Sequence, residues 1–147
     1  MTEPDWSDPE VAEHILRSYG RWAVVGCSSH PWRASHGVSR YLLAQGYRVV
    51  PINPKEETIH GQRAYADLVS VPSAPADPIE VVDIFRRSEL VMPHVEEAIA
   101  IGAKAVWMQL EVWNLEAARL ADAAGLEVVM NRCPAIDHPL MIGSRAG

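Results

Sequence analysis

Two hydrophobic rhythms alternate along the chain. Apolar spacings of three and four residues mark helices, and short unbroken apolar runs mark strands covered on both faces. Ser7, Asp8, Pro9 and Glu10 read as a helix start, and Val11, Ile15, Leu16 and Tyr19 share one side of the helix that runs to Gly20. Trp22 to Val25 is the first predicted strand and ends at Gly26. A polar loop follows, then a predicted helix over Ser35 to Gln45, with Val38, Tyr41 and Leu42 inward and Gly46 at its end. Tyr47 to Ile52 is the second strand, with Pro51 near its end, where a missing amide matters least. Asn53 to Pro78 reads as loop, with one helical turn at Tyr65 to Val69. Ile79 to Phe85 is the third strand, and Ser88 caps a broken helix that Pro93 restarts and Gly102 ends. Ala105 to Gln109 is the fourth strand. Asn114 caps a helix over Leu115 to Ala124, Gly125 stops it, and Leu126 to Met130 is the fifth strand. The segment from Asn131 carries two prolines and ends in a tail, Ser144 to Gly147, expected to be mobile.

Five strands separated by helices predict a parallel α/β sheet with helices on both faces. Right-handed crossovers leave few topologies, and the order 3-2-1-4-5, with the first strand central, is the expectation. With 147 residues, no linker and no repeat, residues 1–147 are expected to form a single domain. Ligands of such sheets bind outside the carboxyl ends of the strands, which confines the candidate chemistry to five loops.

Composition narrows the function classes. A chain that is 48% apolar can offset its conformational entropy, so a disordered protein is excluded. Two cysteines form no disulfide framework, and the acidic start lacks the basic and apolar regions of a signal peptide, which together suggest the cytoplasm. No apolar stretch is long enough to span a membrane. A net charge of −6 argues against a nucleic-acid surface. Yet Arg33, Lys55, Arg86, Arg87 and Arg132 all fall in loops after strands, so the positive charge is concentrated where a ligand would lie.

The loop after the first strand, Gly26-Cys27-Ser28-Ser29-His30-Pro31-Trp32-Arg33, has the glycine and small polar residues of a phosphate turn running into a helix N-terminus. The G-x-G-x-x-G dinucleotide fingerprint is absent, as is a P-loop. An NAD site needs an acidic residue after the second strand to hold the ribose diol. This chain has Asn53-Pro54-Lys55 there, which suits a ribose phosphate, as in NADP or coenzyme A, with Glu56 and Glu57 weakening the local field. Phe85 and Arg86 after the third strand could border a base or a pyrophosphate, whereas Arg87 suits solvent. Gln109 and Glu111 follow the fourth strand, and Asn131-Arg132-Cys133-Pro134 follows the fifth.

Val24-Val25-Gly26-Cys27-Ser28, Pro51-Ile52-Asn53-Pro54-Lys55, Asp83-Ile84-Phe85-Arg86-Arg87-Ser88, Trp107-Met108-Gln109 and Asn131-Arg132-Cys133-Pro134 together resemble the small stand-alone CoA-binding proteins. These are similar to the CoA-binding domain of the succinyl-CoA synthetase α subunit. The resemblance covers about residues 15 to 138 and implies a Rossmann-like fold that binds CoA, or an acyl-CoA, across the carboxyl edge of the sheet. It implies a phosphate turn at Gly26 and Ser28 flanked by His30 and Arg33, and adenosine contacts from Val50, Pro51 and Asn53. It also places Lys55 at the 3′-phosphate, Phe85 and Arg86 beside the nucleotide, and Cys133 and Pro134 at the pantetheine end. Cys27 stands where the family more often has a small residue such as alanine, and Glu111 where it often has glycine. The larger ligases keep their phosphohistidine and nucleotide-triphosphate sites on other domains, so no ligase activity is carried over and a non-catalytic binding role is expected.

Rival readings remain open at the level of the sequence. An NADP-dependent oxidoreductase would need further structure to place a substrate over the nicotinamide. A redox or regulatory role would use Cys27, whose thiol beside a helix N-terminus would have a lowered pKa and could pair with CoA. A Cys27–Cys133 disulfide is out of reach, because the fourth strand lies between the ends of the first and fifth, about 10 Å apart. The spacings of Cys27, His30, His36 and Cys133 match no compact zinc pattern. Trp22 and Trp107 belong in the core, whereas Trp32 and Trp113 fit a ligand lid or a homodimer face.

Overall fold

The expected alternation of helix and strand is present in the computed structural model, which describes residues 3–143; the tail from Ser144 lies outside the described residues. Asp8 caps α1 (Pro9–Ser18) by accepting from the Glu10 amide, with Pro9 in the first turn, where its missing donor costs nothing. β1 (Arg21–Val25) leads through the Gly26 loop into α2 (Ala34–Ala44), and β2 (Arg48–Ile52) follows. A small hairpin of β3 (Thr58–Ile59) and β4 (Gln62–Arg63) comes next. Then come β5 (Val81–Ile84), a short 3-10 turn (Ser88–Leu90), α3 (Met92–Ala100) and β6 (Ala105–Met108). α4 (Leu115–Ala123), capped by Asn114, is followed by β7 (Glu127–Val129) and α5 (Pro134–Met141).

The five main strands are all parallel, in the order β2-β1-β5-β6-β7. Counted along the five predicted strands this is 2-1-3-4-5, which corrects the expected 3-2-1-4-5. The reason lies at the outer edge of β2. Pro51 turns its missing amide and its carbonyl outward, and that carbonyl accepts from the Tyr65 amide at 3.0 Å. The Asn53 amide returns a bond to the Tyr65 carbonyl at 2.8 Å. Tyr65 thus covers the end of the strand as a single bridge instead of starting a helical turn. A further strand would find this edge partly occupied and short of a donor. The chain therefore crosses back and adds β5 to the far side of β1.

Two core layers flank the sheet. Ala23, Val25, Val82, Ile84, Val106 and Met108 pack under α3 and α4, while Trp22, Val24, Val81, Trp107 and Val129 pack against α1 and α2. Trp22 and Trp107 are fully buried, as expected of strand tryptophans. No helix among the described residues is long and apolar enough to cross a membrane.

Two elements were not anticipated. The β3–β4 hairpin turns on His60 and Gly61, both with positive φ, the geometry that matches strand twist in a two-residue turn. α5 starts on Pro134 and contains Pro139, so its prolines read as loop. It is held by a two-pronged Arg132–Asp137 pair at 2.7 and 3.1 Å, and Arg132 also donates to the Ser7 carbonyl. Arg132 is therefore committed to anchoring the fold, which removes it from the cations expected at the ligand edge.

One polar group breaks the core pattern. Asp83 lies in β5 between Val24 and Trp107, fully buried, and neither carboxylate oxygen has a hydrogen-bond partner among the described residues. Burial pushes its pKa well above the ordinary carboxylate range, so folding favours its neutral form. Above about pH 4 the unfolded chain has lost this proton and the folded chain keeps it. Its contribution to stability must fall as the pH rises through that window, and Asp83→Asn removes that contribution. Denaturant unfolding between pH 4 and 7 should show the variant gaining on the wild type as the pH rises. Parallel curves would contradict a neutral Asp83.

Candidate functional site

In this strand order successive strands are added first to one side of β1 and then to the other, and the crevice outside the carboxyl ends of β1 and β5 is where a parallel sheet exposes loop amides. The two strands come very close there. Gly26 has φ +82°, and a Cβ on it would sit 2.5 Å from the Phe85 carbonyl oxygen. Its amide donates to the Ile52 carbonyl and its carbonyl accepts from Ser35 Oγ at 2.9 Å. Gly26 thus joins the ends of β1, β2 and β5 and the start of α2.

A cleft of about 980 Å³ opens over this point. Of the residues singled out in the sequence, Gly26, Ser28, His30, Arg33, Asn53, Lys55, Phe85 and Arg86 line it together. A second cavity of about 840 Å³ shares Gly26, Arg33, Phe85 and Arg86 and continues past Ser35 and Gln109 to Cys133 and Glu111. Cys27, Val50, Pro51 and Pro134 line neither cavity. Val50 is in the core beneath α3, Pro51 offers its backbone to Tyr65, and Pro134 is buried in the first turn of α5.

Cys27 requires a correction. Its side chain is wholly buried, 3.5 Å from Ser39 Oγ, and α2 begins only at Ala34. Burial pushes its thiol pKa up, opposite to the lowered value expected beside a helix N-terminus. Cys133 is likewise raised, chiefly by burial, and both cysteines are free. Both β5 and β6 separate β1 from β7, one strand more than expected. Among the described residues no three His, Cys, Asp or Glu side chains converge on a metal position.

The cleft is electrostatically unsatisfied. Among the described residues Arg33, Lys55 and Arg86 make no side-chain hydrogen bond or ion pair. Arg87, by contrast, pairs with Glu89 at 3.6 Å in solvent. Lys55 is presented by an Asx turn, its amide donating to Asn53 Oδ1 at 2.8 Å, and Asn53 Nδ2 in turn binds the Cys27 carbonyl. α2 has no side-chain cap, and while the His36 amide binds the Arg33 carbonyl, the Ala34 and Ser35 amides have no partner among the described residues and are available to an anion. Trp32 is 75% exposed and stacks on His30 at the rim. Ser88, expected to cap a helix, instead accepts from the Trp113 amide and ties two rim loops together.

Glu56, His94 and Ala66 are among the lining residues that do not stand out as site residues in the sequence. Glu56 was noted only as weakening the field, but its carboxylate reaches into the phosphate turn; its position after an Asn-Pro-Lys turn was the available signal. His94 and Ala66 come from α3 and from the segment after the hairpin, and no local pattern marks them.

A family model described as a CoA binding domain matches residues 20–139. The uncharacterised protein YneT of Bacillus subtilis (strain 168) is 35% identical over 132 residues, covering 90% of this chain and 94% of that protein. A hypothetical protein from Pyrococcus horikoshii OT3 has a solved structure that is 42% identical, with a TM-score of 0.87 over 97% of this chain and 99% of its own. The dinucleotide-forming acetyl-coenzyme A synthetase 1 of Ca. Korarchaeum cryptofilum, in complex with phosphate and ADP, is 26% identical, with a TM-score of 0.67. That match covers 77% of this chain and 26% of the synthetase.

Backbone geometry at the two cavities favours glycine at two positions, only one of which has it. Gly26→Ala meets both a positive φ and the Phe85 carbonyl, and should cost more than about 2 kcal/mol in denaturant unfolding. Glu111 holds φ +67° with its amide on Asn131 Oδ1, which explains why glycine suits that position. Glu111→Gly should be neutral or stabilising by up to about 1 kcal/mol.

Proposed function

The chain belongs to the CoA-binding domain family, and on that premise we propose that it binds coenzyme A, or an acyl-CoA, along the carboxyl edge of its sheet as a non-catalytic module. The observation that carries this reading is the set of unpaired cations, Arg33, Lys55 and Arg86, converging on one cleft of a chain whose net charge is −6. Burying or crowding like charges is unfavourable unless an anion offsets them. Coenzyme A carries three phosphate groups on one end and a long, mostly uncharged arm on the other.

The two joined cavities match that division. In this reading the 3′-phosphorylated ADP part occupies the first, with its diphosphate at Gly26, Ser28 and the uncapped start of α2. Lys55 takes the 3′-phosphate, Asn53 orders the turn that presents Lys55, and Val50 and Pro51 act through the backbone beneath the adenosine. Phe85 and Arg86 stand where the cavities meet, and the pantetheine arm runs over Gln109 towards Cys133 and Pro134. His30 and Trp32 form the rim over the phosphates. The raised thiols of Cys27 and Cys133 favour binding over nucleophilic chemistry. The synthetase whose structure matches about a quarter of its length to this chain carries CoA chemistry in its own name, which supports the same ligand class.

Calorimetry with CoA, dephospho-CoA, NADP and NAD tests the proposal. CoA should bind best, and Lys55→Ala should weaken CoA by about tenfold while leaving dephospho-CoA nearly unchanged. Binding of NADP with none of CoA would overturn the assignment. A Lys55→Ala effect equal for CoA and dephospho-CoA would remove Lys55 from the 3′-phosphate.

A further inference from the structure

We propose that Glu56 is an internal competitor for the phosphate turn: its carboxylate holds the Ser29 amide in the place a ligand phosphate takes, so Glu56 sets the affinity of the site. This rests on the reading of the turn given above and goes beyond it.

Several amides of the loop are spent within the protein. The Gly26 amide binds the Ile52 carbonyl, the His30 amide binds Ser28 Oγ and the Arg33 amide binds the His30 carbonyl. The Ser29 amide alone among these meets an ionised group, Glu56 Oε2, at 3.1 Å. The same oxygen accepts from Asn53 Nδ2 at 3.2 Å, so one carboxylate oxygen gathers two donors from two loops. Ser29 hydroxyl and amide bonds hold the Glu56 carboxyl below its ordinary pKa, with His30 adding to the effect. It is an anion at neutral pH.

Satisfying the amide does not require such a group. Ser29 is exposed, and water would serve as an acceptor at little cost. What a carboxylate adds is a negative charge inside a cleft that otherwise offers Arg33, Lys55 and Arg86. A phosphate can use the Ser29 amide only once Glu56 has turned away, and a carboxylate left nearby repels it. Glu57, the next residue, is exposed, and among the described residues its side chain makes no hydrogen bond, so it carries the same charge without the contact.

The test compares wild type with Glu56→Gln, Glu56→Ala and Glu57→Gln by calorimetry with CoA and with inorganic pyrophosphate at fixed ionic strength. Both Glu56 variants should bind each ligand about fivefold tighter or more, and Glu57→Gln should stay within about twofold of wild type. Equal tightening in Glu57→Gln would reduce the effect to net charge and overturn the proposal. Unchanged or weaker binding by Glu56→Gln, with unfolding midpoints intact and wild type binding CoA, would make Glu56 a strut and overturn the proposal while sparing the proposed function. Failure of the wild type to bind CoA would overturn both.

Discussion

The structure turns on the contact between Gly26 and the Phe85 carbonyl. With no room for a Cβ, the ends of β1 and β5 close to a distance that any other residue would prevent. That approach places the loop after β1 and the Phe85-Arg86 segment on one crevice. The same residue binds Ile52 and Ser35, so its position also fixes the end of β2 and the first turn of α2. A single backbone position thus sets the spacing of the elements that line both cavities. The change in the side on which strands are added, between β1 and β5, then makes that point an opening instead of a continuous row of crossovers.

Charge is distributed in a complementary way. Several arginines are neutralised where they serve the fold: Arg132 on Asp137, Arg48 on Asp77 and Arg17 on Glu13. Among the described residues Arg33, Lys55 and Arg86 at the cleft are left without partners, so their field is available to a ligand. Net charge therefore says little about this site. A pocket of this size samples local potential, which falls off over about 8 Å at physiological salt. The acidic groups responsible for the −6 total are spread over a surface much wider than that.

Most of the sheet was legible in the sequence because each strand is a short apolar run bounded by a glycine or a polar turn. The site was legible to the extent that its residues sit at strand ends, which is why Gly26, Ser28, Asn53, Lys55, Phe85 and Arg86 meet in one place. What was not legible depended on contacts between distant segments. The strand order hinged on Tyr65 pairing with Pro51, and nothing in the local pattern at Tyr65 records that. The hairpin at His60 and Gly61 was hidden by its two-residue strands. Cys27 looked like a reactive thiol because its loop precedes a helix, but its side chain is buried against Ser39 and the residue lines neither cavity. Sequence position identifies the loop, and only packing decides which face of it a side chain joins.

Glu56 shows the general problem that an anion site poses for the protein that carries it. A turn built to present amides and cations has no internal partner for them, and backbone donors are rarely left without an acceptor. One solution is water; another is a side chain that borrows the charge of the ligand. A carboxylate keeps the Asn53–Lys55 turn and the Ser29 loop in register through Asn53 Nδ2 and the Ser29 amide. It also reduces the affinity of the finished site. Glu56 therefore trades order in the free protein against strength of binding, and the balance is struck by one movable side chain, leaving the rigid frame at Gly26 and Phe85 unchanged.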